Sequence, residues 1–352
     1  MDFTFSEEQQ MMAAAFRELA TEICPPAVLR AVFEARDQHS EERWSRLAEL
    51  GLFGVRVPSE HGGMGLEDAD FVLLAEEAGR AALPEPLIEQ AALAAPALGE
   101  LAGAPAVAAL LPELASGRMR IAVAHPQNPG APAPPGLTHW LLCGTDSVTL
   151  AEAGAVRAVR ADSIDAARPL YFPEPSAAAA PLARGVTATA LGARLLNRGA
   201  SFSAAQCLGL AERMLALAVD YAKERTQFGR AIGSYQAIKH HLASAQVKLE
   251  FARPVVYAAV TRLAQTDVRA TAAASHAKLA ATEAADLAAR TAMQVHGAMG
   301  YSWEVDLHFF MKRAWALSGA WGDRNFHARR LQQLVCGGDL ALGPDQMFER
   351  TA

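Results

Sequence analysis

The sequence predicts a mainly α-helical fold with a small β domain: a helical N-terminal domain (1–114), a reduced central β domain (115–190) and a C-terminal four-helix bundle (191–352). Three observations lead there. Apolar residues recur at steps of three and four on both sides of the chain, as helices with one buried face require. Between them lie short β-prone runs bounded by Pro, Gly and Asp. The chain's 352 residues also exceed the roughly 250–300 at which one hydrophobic core stops growing, which favours two or three domains.

The first helix starts at Ser6. Ser6 can cap, Gln9 stands where a capping box wants Glu or Gln, and Met12, Phe16, Leu19 and Ile23 follow at 4,3,4 spacing until Pro25 and Pro26 end the pattern. Further helical stretches fall around 40–51, 67–82 and 86–102, separated by Gly- and Pro-bearing turns. From about 115 the runs R-M-R-I-A-V-A-H, T-H-W-L-L-C-G, S-V-T-L and A-V-R-A-V-R read as strands, and the Pro- and Gly-dense segment Asn128–Gly136 reads as a mobile loop. After about 190, Cys207, Leu210, Met214, Leu217 and Tyr221 mark one helix seam. Ile238, Leu242, Ala245, Leu249 and Ala252 mark the next, which Pro254 should end or kink. A third seam, Ala277, Ala280, Ala284 and Leu287, permits close axial approach, and 305–335 supplies the last helix.

Composition excludes several classes. With 51% hydrophobic and 20% charged residues the chain can bury a core, and 32 basic against 38 acidic residues lack the one-sign excess that a phosphate backbone demands. The four cysteines are far apart, with no C-x-x-C pair, which fits a reducing compartment and no disulfide framework. The acidic start M-D-F-T-F-S-E-E-Q-Q is unlike a signal peptide and no apolar run reaches about 20 residues, so a cytoplasmic chain without a membrane span is expected. His240 and His241 are adjacent and point about 100° apart on a helix. His276, His296, His308 and His327 have no partner four residues away, so no metal site is expected.

Three local features could carry chemistry. In Arg225-Thr226-Gln227-Phe228-Gly229, followed by Gly233, Tyr235 and Gln236, a planar guanidinium stands beside a hydroxyl, an amide and an aromatic at a glycine-broken helix end. Such a group can pair with a pyrophosphate and cover a flat ring; a solvated helix C-terminus is the alternative. In Gln294-Val295-His296-Gly297-Ala298-Met299-Gly300-Tyr301, followed by Glu304 and Arg313, glycines admit a ligand to the backbone and Gln294 can bond a phosphate or a purine edge. A Gly-terminated helix explains the same residues. The third, Pro58 to Leu66, reads better as a surface turn than as a phosphate loop, since no Lys-Ser/Thr follows.

Taken in order, these segments, with A-E-E-A-G-R and the helix C-L-G-L-A-E-R-M-L-A-L-A-V-D-Y-A-K-E-R-T-Q-F-G-R-A-I, resemble the acyl-CoA dehydrogenase family over nearly the whole chain. The resemblance implies FAD held between domains and across a subunit interface. It also implies an acyl-CoA thioester as substrate, desaturated when a carboxylate takes the α-proton and the β-hydrogen leaves as hydride to the flavin. Carried over, Arg225 and Gln227, with Thr226 between them, match positions at the FAD diphosphate, and Phe228 matches the aromatic near the flavin. Gln236 closes that motif. Gln294, Gly297 and Ala298, with Val295 and His296, match the segment along the adenosine half.

Two departures stand out. Where the family carries a T-E-P-type motif against the flavin, this chain reads A-V-A-H-P-Q, leaving Pro126 and His125. The late catalytic Glu position falls on Gly322 in Ala320-Trp321-Gly322-Asp323-Arg324, and a second family location for the base falls near Gly199. Asp323 is the candidate base one residue along, with a helix N-cap as its alternative. Three hypotheses follow: a FAD enzyme with Asp323 as base, a partner subunit completing a homologue's FAD site, and a flavin oxidase on the same scaffold. The resemblance implies that the surviving motifs are those that reach a neighbour's cofactor, so an α2β2 hetero-oligomer with a related chain is expected, passing electrons to an electron-transfer flavoprotein.

Overall fold

The capping box at the start of the chain forms as the sequence predicts. Ser6 Oγ accepts from the Gln9 amide at 3.2 Å and Gln9 Oε1 accepts from the Ser6 amide at 2.8 Å, opening α1 (Glu7–Ile23), whose Phe16, Leu19 and Ile23 are buried. The computed structural model describes residues 4–35, 40–174, 179–265 and 267–340. Pro26 opens α2 (Pro26–Ala35), followed by α3 (Glu41–Glu49) and α4 (Asp68–Arg80). Pro58–Leu66 is the turn between the last two. The stretch read as one helix over 86–102 is a π-helical segment, Ile88–Ala94, running into a short α5 (Ala95–Gly99). Two further short helices, α6 (Pro105–Ala108) and α7 (Leu111–Ala115), complete this part.

The β domain is built on β1 (Ile121–Ala124), β2 (His139–Cys143), β3 (Ser147–Glu152), β4 (Ala158–Ala161), β5 (Leu170–Pro173) and β6 (Pro181–Arg184). One sheet has the order β1-β2-β3-β6, with β1 and β2 parallel and the rest antiparallel; β4 and β5 form a separate antiparallel pair. Buried contacts tie this domain to the helices. Gln90 of the π-helical segment accepts from the Ile121 amide at 2.9 Å and donates to the Met119 carbonyl at 2.7 Å, extending the edge of β1 with a side-chain amide. Arg168 pairs with Glu89 at 3.0 Å. Asn128–Gly136 makes no ladder, as expected, yet it is no exposed mobile loop: residues 131–134 are buried, and Ala131 bridges Tyr171. Its small and Pro side chains fit against the sheet.

The bundle begins earlier than 191. Helix α8 (Gly185–Glu224) runs 40 residues, buried along most of its length, and two-thirds of its most apolar stretch is inside the molecule, so it is a core helix. It crosses α4 backbone to backbone: a Cβ at Gly209 would come within 1.9 Å of the Glu76 carbonyl, and one at Gly79 within 2.1 Å of the Gln206 carbonyl. Only glycine permits that approach.

Helix α9 (Gln236–Val260) continues six residues past Pro254, so the proline does not end it. In α10 (Val268–His296) the buried face includes Ala277, Ala281, Ala284, Ala288 and Ala292. Leu287, placed on the seam by its spacing, is instead 37% exposed. The segment 305–335 is two helices, α11 (Leu307–Gly319) and α12 (Arg324–Cys336), because Trp321 (φ +57°) and Gly322 (φ +96°) break the chain between them. One buried apolar cluster runs from Phe16 to Trp321, and a satellite cluster lies around Trp140. The three sequence regions therefore share a core.

Candidate functional site

Helix α8 stops where Arg225 leaves the helical region (ψ 120°). Thr226–Gln227 then pairs with Arg230–Ala231 around the two-residue turn Phe228-Gly229, both with positive φ (+50° and +80°), which matches the twist of a tight hairpin. The hairpin is braced. The Ile232 amide donates to the Arg225 carbonyl at 2.8 Å, the Tyr235 hydroxyl donates to the Gln227 carbonyl at 3.2 Å, and the Arg230 guanidinium lies 4.1 Å from the Tyr235 ring centre. Phe228 is 93% exposed in a left-handed conformation that costs a non-glycine residue about 1–2 kcal/mol. Arg225 is exposed, and no carboxylate among the described residues pairs with it. Gln236 is exposed at the first position of α9.

The second motif lies at the same end of the bundle, since Tyr221 in the last turn of α8 stacks on His296 in the last turn of α10 at 4.4 Å between ring centres. Gln294, Gly297 and Ala298 are exposed. The side chains of Val295 and His296 are not on that face: both are 5% exposed, and His296 Nδ1 bonds the Ala292 carbonyl at 2.8 Å. Helical phase turns them inward, one position after Gln294 turns out. Arg313, read beside this motif, is buried instead, paired with Asp165 and donating to the Leu83 carbonyl at 2.7 Å.

A third place lies where α8, the 125–128 turn and the α11–α12 turn meet. The Trp321 indole, 1% exposed, rests on the bare backbone of Gly199. The Trp321 amide donates to Asn128 Oδ1 at 3.1 Å, the Gly322 amide donates to the Gln127 carbonyl at 3.2 Å, and His327 Nε2 bonds the Trp321 carbonyl at 3.0 Å. Lys278, fully buried in α10, donates to the carbonyls of Leu317 and Ala320, the latter at 2.7 Å. Burial pushes its ammonium down to about 8 and the His327 imidazole down to about 4. Gly199 thus lies under the indole, while a side chain at Gly322 would meet Phe326 and His327. Asp323 follows as the N-cap of α12, its carboxylate exposed and accepting from the Phe326 amide at 2.7 Å.

Sequence reasoning missed Trp321, Asn128, Lys278 and His327. The available signal was a lone Lys in an alanine-rich helix and a Trp-Gly pair beside the matched base position. Near them, His125 is buried and held neutral at pH 7, its pKa pushed down to about 4 by desolvation, and Nδ1 accepts from the Gln127 amide at 3.0 Å. It borders a cavity of about 340 Å³ with Pro126, Leu142, Cys143, Ser147 and Thr149. That is the lower end of small-molecule pockets, about 300–1,000 Å³.

Residues 6–118 match the acyl-CoA dehydrogenase N-terminal domain and residues 189–335 match the acyl-CoA dehydrogenase C-terminal domain. The chain belongs to the acyl-CoA dehydrogenase family. As an acyl-CoA dehydrogenase-type oxidoreductase it is 34% identical to acyl-CoA dehydrogenase IpdE2 of Mycobacterium tuberculosis, over 88% of this chain and 91% of that one. It is 31% identical to IpdE2 of Mycolicibacterium smegmatis, over 94% and 99%. Among solved structures, a variant of the Tcur3481-Tcur3483 steroid ACAD superposes with a TM-score of 0.83 at 25% identity, over 95% of this chain and 99% of that one. The ChsE4-ChsE5 complex from Mycobacterium tuberculosis gives 0.82 at 23%, over 96% and 99%. Against this family pattern the exposed Arg225, the Thr226 hydroxyl and the Gln227 amide have the chemistry to meet a dinucleotide's diphosphate from outside, and the exposed Phe228 ring has that to cover a flat ring.

Proposed function

We propose that this chain is one subunit of a hetero-oligomeric, FAD-dependent acyl-CoA dehydrogenase of α2β2 form, with FAD at the mixed interface and the catalytic carboxylate on the related partner chain. One observation carries the reading: the Arg225 hairpin faces outward with no acidic partner among the described residues, while Gly322 and Gly199, at and near the two matched base positions, hold no side chain. Asp323, spent on capping α12, supports the same assignment. The names of two structural neighbours, ChsE4-ChsE5 and Tcur3481-Tcur3483, pair two chains and give further support.

In this arrangement Arg225 neutralises the diphosphate with a planar fork, Gln227 and Thr226 fix its register, and the Phe228 ring shields the ring system from water. Gln294, Gly297 and Ala298 face the adenosine half at the same end of the bundle. Bound FAD supplies the two-electron acceptor for removing an α-proton and a β-hydride from the thioester, and an electron-transfer flavoprotein takes the electrons onward. The relatives' names favour a steroid-type or fatty acyl-CoA as substrate.

The test is co-purification. Expressed alone, the chain should be flavin-poor. Co-expressed with an acyl-CoA dehydrogenase homologue that has a carboxylate at its base position, it should give a mixed tetramer with one FAD per two chains and acyl-CoA-dependent dye reduction. A fully flavinated, active homo-oligomer of this chain alone overturns the proposal.

A further inference from the structure

We propose that Trp321 is a built-in occupant of the space between α8 and the α11–α12 turn, so that a flat apolar guest enters there only when the indole is removed. The inference deepens the subunit role proposed above, because a space filled by the chain's own side chain has no room for an acyl group, but its support is packing. A Cβ at Gly199 would come within 2.1 Å of Trp321 Cδ2, 2.5 Å of Cε3 and 2.6 Å of Cε2, so the indole lies directly on the α8 backbone. Trp321 reaches that place with φ +57°, a conformation uncommon for any bulky residue. Such strain persists only where the surroundings over-determine it.

Here they do. The amide and carbonyl of Trp321 are bonded to Asn128 and His327, the next amide is bonded to Gln127, and the buried Lys278 ammonium holds the carbonyls of Leu317 and Ala320. On the other side, a Cβ at Gly322 would meet Phe326 at 2.5 Å and His327 Nε2 at 2.8 Å, so the residue after the indole is confined as well. The turn is fastened from three elements, and its one large side chain is directed inward.

The experiment is a double-mutant cycle with a guest. Trp321→Gly keeps a backbone that tolerates φ +57° and leaves an indole-shaped void; its Tm should fall by several degrees and recover in part with millimolar indole, while the wild type shows no shift. Gly199→Ala should lower the Tm of the wild type, because its methyl meets the ring, yet raise that of Trp321→Gly, where the void receives it and alanine favours the helix. The Gly199→Ala arm in the wild type stands even if Trp321→Gly does not fold. Additive Tm changes, a Gly199→Ala wild type as stable as its parent, or an equal indole shift with and without Trp321 would each overturn the proposal. Flavin stoichiometry with the partner is read separately, so an active homo-oligomer would sink the subunit role and leave this cycle unaffected.

Discussion

Lys278 offers the sharpest quantitative test, because its ammonium is fully buried and meets only main-chain carbonyls. Burial lowers its pKa from 10.5 to about 8. In the unfolded chain the ammonium stays protonated to about 10.4, so between these values the unfolded state binds more protons than the folded one and stability rises with pH. The penalty is fully present below pH 8 and gone above about 10.5. A gap of that size converts to about 3 kcal/mol. Lys278→Met removes the titration and keeps most of the volume. Urea unfolding of both proteins at intervals from pH 7 to 10.5 should show the wild type gaining about 3 kcal/mol on the variant, and subtraction cancels the other alkaline groups. Parallel pH profiles would refute the account, since they would mean that Lys278 keeps its ordinary proton affinity and is not desolvated in the turn.

Other expectations follow from the same contacts. Arg225→Ala should leave the flavin-free chain's Tm unchanged, as the guanidinium pairs with no acid among the described residues, while FAD retention by the assembled protein weakens by about 1.5–3 kcal/mol; Arg225→Lys should restore part of it, and unchanged flavin stoichiometry would remove the hairpin from the cofactor site. Asp323→Ala should cost about 1 kcal/mol through the lost N-cap and Asp323→Asn only a few tenths. Turnover of the complex should survive both, and an intact but inactive Asp323→Asn complex would make Asp323 the base. Gln90→Leu strands the Ile121 amide and the Met119 carbonyl, both paired to that side chain, and should cost about 2–4 kcal/mol in urea unfolding. A loss under 1 kcal/mol would show that β1 does not depend on this amide.

The helices of the first and last thirds were legible because their signals are local. Ser6 and Gln9 sit in one turn, and Cys207, Leu210 and Met214 are large enough against their neighbours to mark a face. The phase of α10 was legible only in part: Ala277 and Ala284 lie on the buried face, but alanine on every side gives little contrast, and Leu287, the largest apolar residue in the seam, is on the outside. Burial of 131–134 was also hidden, since Pro and Gly signal a turn but not what covers it. At the candidate site the Arg225 motif at a glycine-broken helix end could be read, as its residues are contiguous, but not the hairpin into which it folds. The Trp321 cluster could not, because Gly199, Lys278 and Asn128 join it from three distant elements. Nothing in their spacing announces the meeting.

The 40 residues of α8 amount to a rod of about 60 Å. Gly199 fixes it beneath the indole, Gly209 locks it across α4, and its end delivers the Arg225 hairpin to the surface. Because the two glycines admit no other registration, the rod cannot slide or turn, and the direction in which Arg225 leaves the molecule is set by counting residues from Gly209. One residue added between them would swing the hairpin by about 100° and advance it about 1.5 Å. The interior fit of this helix therefore acts as a gauge for what the surface presents, and related chains that keep the hairpin in use must keep that count.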